Sequence, residues 1–162
     1  MSATASTSAV ILACFQVGNA YYALDVDSVR EIVRISDITP LPNSPDLIEG
    51  VIDLRGSLIP VVDLARALGR GSGSSDHGAR IVVVDFSDLV LGLWIDAATD
   101  VLTFDASRLE DVPVLATHAG YDVVSSIVRR DDGPPVMVLS IENLIESIYR
   151  SAPPRMVDGE LA

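Results

Sequence analysis

Residues 50–64 read GVIDLRGSLIPVVDL, an apolar run interrupted at its centre by Arg55 and Gly56. Were the whole run one buried strand, the guanidinium would be an expensive guest, because an unpaired buried charge is strongly unfavourable. Arg55 is therefore at a turn, or paired, or there to be touched. Working outward, short Val- and Ile-rich runs predict strands over Val10–Val17, Tyr21–Val26, Ile48–Leu54, Leu58–Val62, Arg80–Phe86, Leu89–Ile95, Val123–Arg129 and Val136–Leu139. Gly18-Asn19, Ser87-Asp88 and Asp132-Gly133 are turn signals between them, and Pro40 and Pro42 break the chain ahead of the central run. Pro60 lacks a ladder donor, which suits an edge or bulged strand.

Two segments read as helices. Asp63 is placed to cap a short one through Leu64, Ala65 and Leu68 that Gly69 stops, and Ser140 to cap a longer one on which Ile141, Leu144, Ile145 and Ile148 recur at helical spacing. Asp27 to Val33 is a weaker third candidate, since Val29, Ile32 and Val33 would serve equally in a strand. Gly69 to Gly78 encloses RGSGSSDH, a loop expected to be flexible from its composition, with no lysine to make its glycines a phosphate cradle.

Composition narrows the function. The 162 residues suit one domain with a full core, and 49% hydrophobic content includes no uninterrupted apolar stretch of membrane-spanning length. The expected organisation is a disordered N-terminus over residues 1–8, one domain over 9–150 and a flexible tail over 151–162. The opening residues carry no basic segment typical of a signal peptide, and the lone cysteine, Cys14, reads as a buried inert thiol, so a cytoplasmic location fits.

All 11 basic residues are arginine, against 23 acidic ones, for a net charge of −12. The absence of lysine excludes Walker-type phosphate binding, Schiff-base chemistry and a Ser-Lys dyad. A pI near 4.3 argues against nucleic acid, whose backbone calls for a positive stripe. His77 and His118 read as solvated loop residues, and neither His118 with Asp122 nor Asp25 with Asp27 makes a recognised metal loop. Glu110-Asp111 and Asp131-Asp132 read as surface charges, and no G-x-S-x-G elbow is present. No cofactor or metal is expected. Asp96 and Asp100, which would share one side of a strand, are the candidates for a small acidic enzyme, and a ligand-binding barrel is a third class. The scarcity of chemistry favours a binding module.

Residues 50–64, preceded by TPLPNSPDLIE, resemble the signature of the CheW-like family, adaptor domains that couple chemoreceptors to the chemotaxis histidine kinase. The resemblance extends to FQVGNAYYALDVDSVREIV, to IVVVDFSDLVLGLWIDAATDVL and to PPVMVLSIENLIES, in order, from about Ala9 to Ile148. It implies a mainly β fold of two intertwined five-stranded, SH3-like barrels on a shared core, closed by a C-terminal helix. It also implies a non-catalytic stand-alone adaptor at receptor clusters on the inner face of the membrane. The implied partners are the kinase's regulatory domain and the hairpin tip of a receptor, with self-association in array rings as a further implication and membrane contact only through receptors. Such a domain serves flagellar chemotaxis, pilus or gliding motility, or another chemosensory pathway.

Carried over by position, Arg55 and Gly56 match the family's Arg-Gly turn, and Glu31 matches an acidic residue placed near that arginine. The expected partner-binding residues are Val29, Glu31, Ile32, Asp53, Arg55, Gly56 and Asp96, with plain core the alternative for Val29 and Ile32, surface solubility for Asp53 and a solvated turn charge for Arg55; Gly50, Leu54, Pro60 and Asp63 are the structural part of the motif. The chain departs from the family pattern at Trp94, Ala97-Ala98 and Ser125-Ser126, near surfaces the family uses for partners.

Overall fold

The computed structural model describes residues 8–113 and 123–150. His118 and Asp122, most of the expected N-terminal segment and the whole of the expected tail lie outside those residues. Within the N-terminal segment Ser8 is described, and its carbonyl accepts from the Ala106 N–H at 3.0 Å.

The chain forms β1 (Ala9–Val17), β2 (Ala20–Asp25), β3 (Val29–Arg34), β4 (Ile48–Leu54), β5 (Ser57–Asp63), α1 (Leu64–Ala67), β6 (Arg80–Phe86), β7 (Leu89–Ile95), β8 (Ala97–Asp105), β9 (Leu109–Glu110), β10 (Val124–Val128), β11 (Val136–Leu139) and α2 (Ile141–Arg150). One sheet has the order β8-β1-β2-β11-β10-β9, the other β3-β6-β7-β5-β4. The chain begins in the six-stranded sheet, leaves to build the whole five-stranded one, and returns, so the two are intertwined.

Both sheets curl until their edges approach. The edges of a flat five-stranded sheet would lie roughly 19 Å apart at about 4.8 Å per strand. Here Thr39, just beyond edge strand β3, exchanges two backbone hydrogen bonds with Val51 of the opposite edge strand β4, at 2.8 and 2.9 Å. In the six-stranded sheet the edge strands β8 and β9 are joined by one short 3-10 turn, Ala106–Arg108. A matching turn, Val26–Ser28, joins β2 to β3. An aspartate caps each: Asp25 accepts from the Asp27 N–H and Asp105 from the Ser107 N–H, both at 2.9 Å. The Ser107 hydrogen bonds hold the Asp105 carboxyl below its ordinary range.

Curling gives each sheet two apolar faces, which is why its strands read as near-continuous Val and Ile runs. Leu12, Cys14, Ala23, Val136 and Val138 fill the concave side of the six-stranded sheet, and Ile52, Ile59, Val61, Ile81 and Val83 that of the five-stranded sheet. The opposite faces meet in a shared core that includes Phe15, Leu24, Val82 and Leu93. Leu64 of α1 and Ile141, Leu144 and Ile148 of α2 enter the same core. Ser140 caps α2 through the Asn143 N–H at 3.1 Å, as its position suggested.

The open choice over Asp27 to Val33 resolves as a 3-10 turn at Val26–Ser28 followed by a strand at Val29–Arg34. Two expectations are corrected. β8 is a nine-residue strand beyond those expected. Pro60 lies on β5, an inner strand flanked by β4 and β7, and not on an edge. It is tolerated because it faces Val51 across the β4–β5 pair and precedes Val61, where the β5–β7 ladder begins. The bulge in this pair belongs to β4, between Ile48 and Gly50.

Candidate protein-interaction surface

The central sequence run folds back on itself at a two-residue turn. Leu54 pairs with Ser57, and both turn residues have positive φ, 52° at Arg55 and 87° at Gly56. That is the handedness that matches the twist of a two-residue hairpin. Asp53 clamps the turn, its Oδ1 accepting from the Gly56 N–H at 2.9 Å. Arg55 is thereby held at the tip, with 70% of its side chain exposed.

Its guanidinium makes a fork to Glu31 on β3, Nη1 to Oε2 at 2.7 Å and Nη2 to Oε1 at 2.5 Å. Hydrogen bonding to Arg55, aided by its charge and that of Arg30, pulls the Glu31 carboxyl below its ordinary range, and Arg55 is raised in turn. Two planar groups joined by parallel bonds hold a fixed orientation, which a single contact between long side chains would not provide.

Around this fork the surface is partly apolar. Ile32, next to Glu31, is 42% exposed, and Leu58, two residues beyond Gly56, is 70% exposed. The exposure of Leu58 follows from strand alternation, although the sequence reading did not single it out: Ile59 and Val61 point inward, so Leu58 points out. Val29 instead packs, partly buried, against the shared core. Leu54 adjoins the turn, and Gly50 lies further back on β4, opposite Val61. Leu54 packs on the five-stranded sheet's own cluster, and a Cβ at Gly50 would fall 2.3 Å from the Thr39 carbonyl oxygen.

Asp63 and Asp96 act elsewhere, on the glycine- and serine-rich loop, whose expected flexibility the contacts do not bear out. Asp63, 1% exposed, caps α1 through the Arg66 N–H at 3.3 Å and accepts from the Gly73 N–H at 3.1 Å. Asp96 accepts from the Ser74 N–H at 3.3 Å and from the Gly18 N–H at 2.7 Å. Arg70 donates to the Tyr22 hydroxyl at 3.0 Å. Trp94 donates from Nε1 to the Ser74 carbonyl at 2.9 Å, and Gly73 lies so close to its indole that a Cβ there would come within 2.7 Å. The bulk by which Trp94 departs from the family pattern thus covers this chain's own loop. Ser125, a second departure, sits at a β10 bulge with its hydroxyl on the Val138 carbonyl at 3.2 Å. Ala97 and Ala98 open β8 opposite Gln16 and Phe15.

No catalytic pair assembles from the expected carboxylates. Asp96 spends both oxygens on backbone donors, whereas Asp100 lies on β8 beside Arg130 at 3.5 Å. Asp96 sits at the bend between β7 and β8, off the strand that carries Asp100, and a bulge at Thr99, between the residues opposite Cys14 and Phe15, further breaks the alternation that would align the two. Among the described residues no three His, Cys, Asp or Glu side chains form a metal-binding group. Also among them, no helix is long and apolar enough to cross a membrane.

Two curled, intertwined sheets on one core, with an oriented ionic turn at the surface, define a mainly β, double-sheet class of domain. The chain belongs to the CheW-like family, whose domain matches residues 12–149, a family of non-catalytic adaptors. It is 34% identical over 134 residues to a chemotaxis protein CheW from Thermotoga maritima, covering 83% of this chain and 86% of that one. It is 33% identical over 141 residues to a chemotaxis protein CheW from Rhizobium meliloti, covering 87% and 90%. The crystal structure of the scaffolding protein TtCheW from Thermoanaerobacter tengcongensis superposes with a TM-score of 0.75 at 29% identity, covering 89% of this chain and 92% of that one. Protein FrzA of Myxococcus xanthus is similar at 25% identity over 139 residues, covering 86% and 87%.

Proposed function

We propose that this chain is the adaptor that couples chemoreceptors to a CheA-type histidine kinase, working in the cytoplasm at receptor clusters. The family match across residues 12–149 carries the reading. The Arg55 turn supports its location on the molecule, because a guanidinium already oriented by Glu31 and Asp53-clamped backbone offers a partner a surface with little ordering left to do. Arg55, Gly56, Asp53, Glu31 and Ile32 form this contact surface, Leu58 extends it, and Val29 supports it from the core side. Asp96 acts on it only through the loop it anchors.

Calorimetric titration with the kinase regulatory domain and with the receptor cytoplasmic tip from the same genome tests the proposal. Wild type binds at least one of them at micromolar Kd or tighter, and a folded Arg55→Glu variant binds about tenfold or more weakly. Absence of binding to both fragments by wild type would remove the coupling role. Unchanged binding by the variant would move the surface away from this turn.

A further inference from the structure

Acidic residues outnumber basic ones 23 to 11, so an arginine without a carboxylate partner is unexpected anywhere on this chain. Among the described residues, Arg55, Arg66, Arg108, Arg129, Arg130 and Arg150 all make ion pairs. Arg30, Arg34, Arg70 and Arg80 make none; Arg70 donates to the Tyr22 hydroxyl within the glycine-rich loop, and the other three lie on β3 and its neighbour β6. Arg30, Ile32 and Arg34 form the exposed residues of β3. Arg34 stands directly opposite Arg80 in the β3–β6 ladder, a cross-strand pairing of like charges that is unfavourable unless something neutralises it. Arg80 Nη1 is turned to the carbonyls of His77 and Ala79, both at 2.8 Å, which fixes its head without neutralising it. Arg34 and Arg80 share a surface cavity of about 250 Å³ with Ile35, Ser75, Asp76, His77 and Ala79, and Asp76 there pairs with neither arginine.

We infer that Arg30, Arg34 and Arg80, with Ile32 between them, form a second half of the partner surface, built to receive an acidic protein segment that carries an apolar residue between its carboxylates. The inference rests on the adaptor reading for the partner's place, since Glu31 of the Arg55 fork belongs to the same strand. Charge complementarity selects the occupant. An incoming carboxylate at the Arg34–Arg80 pair relieves an existing repulsion, and one at Arg30 meets a guanidinium that makes no ion pair of its own and whose field reaches only Glu31, already bonded to Arg55. A strand spaces Arg30 and Arg34 by roughly 13 Å, less a small amount for the bulge between Val29 and Glu31, and so sets the separation required of the partner's acids. Ile32 supplies the apolar contact between them.

The test compares wild type with an Arg30→Gln, Arg34→Gln double variant, both exposed changes that keep the Glu31–Arg55 hydrogen bonds, and with Arg34→Gln alone, which also keeps the Arg30 charge beside Glu31. Each is titrated at low and at high salt with the receptor-tip fragment, the kinase regulatory domain, and a synthetic peptide of alternating Glu and Leu blocks, with a Lys and Leu peptide as control. The expected result is a loss of about tenfold or more for the double variant at low salt that shrinks at high salt, with the Glu peptide bound and the Lys peptide not. If the natural fragments bind wild type and variant equally, the stripe is not a partner surface, though the adaptor reading survives. If the fragments fail but the Glu peptide binds wild type and not the variant, the stripe stands and the coupling role falls. Binding of none of the acidic probes overturns the inference.

Discussion

Arg55 and Glu31 are 24 residues apart in sequence and join the β4–β5 turn to the opposite edge strand of the same sheet. The fork therefore completes, with side chains, the edge closure that Thr39 and Val51 make with backbone. Because Arg55 is largely exposed, the pair contributes little to folding. Glu31→Gln and Arg55→Gln are each expected to leave the thermal midpoint nearly unchanged while weakening partner binding. A charge-swapped double variant, Glu31→Arg with Arg55→Glu, recovers part of the loss. Additive losses in that cycle would show that the two act on the partner separately.

The same pair fixes a pH response. Its hydrogen bonds to Arg55 lower the Glu31 carboxyl from 4.5, so the folded state holds the ionised form more strongly than the unfolded chain does. Whatever the pair adds to stability is present above that value and is lost as pH falls through the lower folded one. Carboxyl-detected NMR titration is expected to place Glu31 below 4.5, and Arg55→Gln to move it back towards that value. An unshifted Glu31 in wild type would mean that the fork is not populated in solution.

The loop from Gly69 to Gly78 makes an independent prediction. Trp94 is the chain's one tryptophan, and its hydrogen bond to Ser74 makes its fluorescence a direct report on the docked loop. Arg70–Gly71 is a trypsin site that the loop's composition would leave open, yet its neighbours are held by Asp63, Asp96 and Tyr22. Trp94→Leu is expected to speed cleavage there by about fivefold or more, the factor that follows from losing one hydrogen bond of about 1 kcal/mol. Equal cleavage of wild type and variant would mean that the indole does not hold the loop.

Sequence made most strands visible because sheets packed on both faces write long apolar runs, and the hairpin and cap residues named their own ends. What it concealed has specific causes. A bulge at Arg30 puts Val29, Ile32 and Val33 at helical spacing on what is a strand. β8, AATDVLTFD, is an exposed edge strand whose Ala, Thr and Asp carry no apolar alternation. The loop's order comes from two aspartates and a tryptophan distant in sequence, which composition does not register. The arginine-rich face of β3 became legible only once the ion pairs of the other arginines were assigned.

Gly50 is the position at which a single methyl group is expected to harm the fold most directly. Its added Cβ would meet backbone, Thr39 O at 2.3 Å and Thr39 C at 2.7 Å, where no side chain can swing aside. Gly50→Ala must therefore shift the Thr39–Val51 bridge that closes the five-stranded sheet, at a cost of about 2 kcal/mol. Denaturant unfolding monitored through Trp94 measures this, and a loss well under 1 kcal/mol would show that the edge closure is loose.

Cys14 supplies the last test, of the six-stranded sheet. Burial first, and then the nearby Asp100 charge, push its thiol up from 9.0 to about 11, so at neutral pH it carries essentially no thiolate. Iodoacetamide at pH 8 is expected to leave the native protein unmodified and to label it fully in denaturant. The folded state holds the proton more tightly than the unfolded chain, so Cys14's contribution to stability is intact below pH 9 and declines from there through about 11. Cys14→Ala removes that alkaline component of the stability profile while leaving the neutral-pH fold. Rapid labelling of the native thiol would mean that β1 and β8 separate readily, and that the bulge opposite Cys14 is a point of opening.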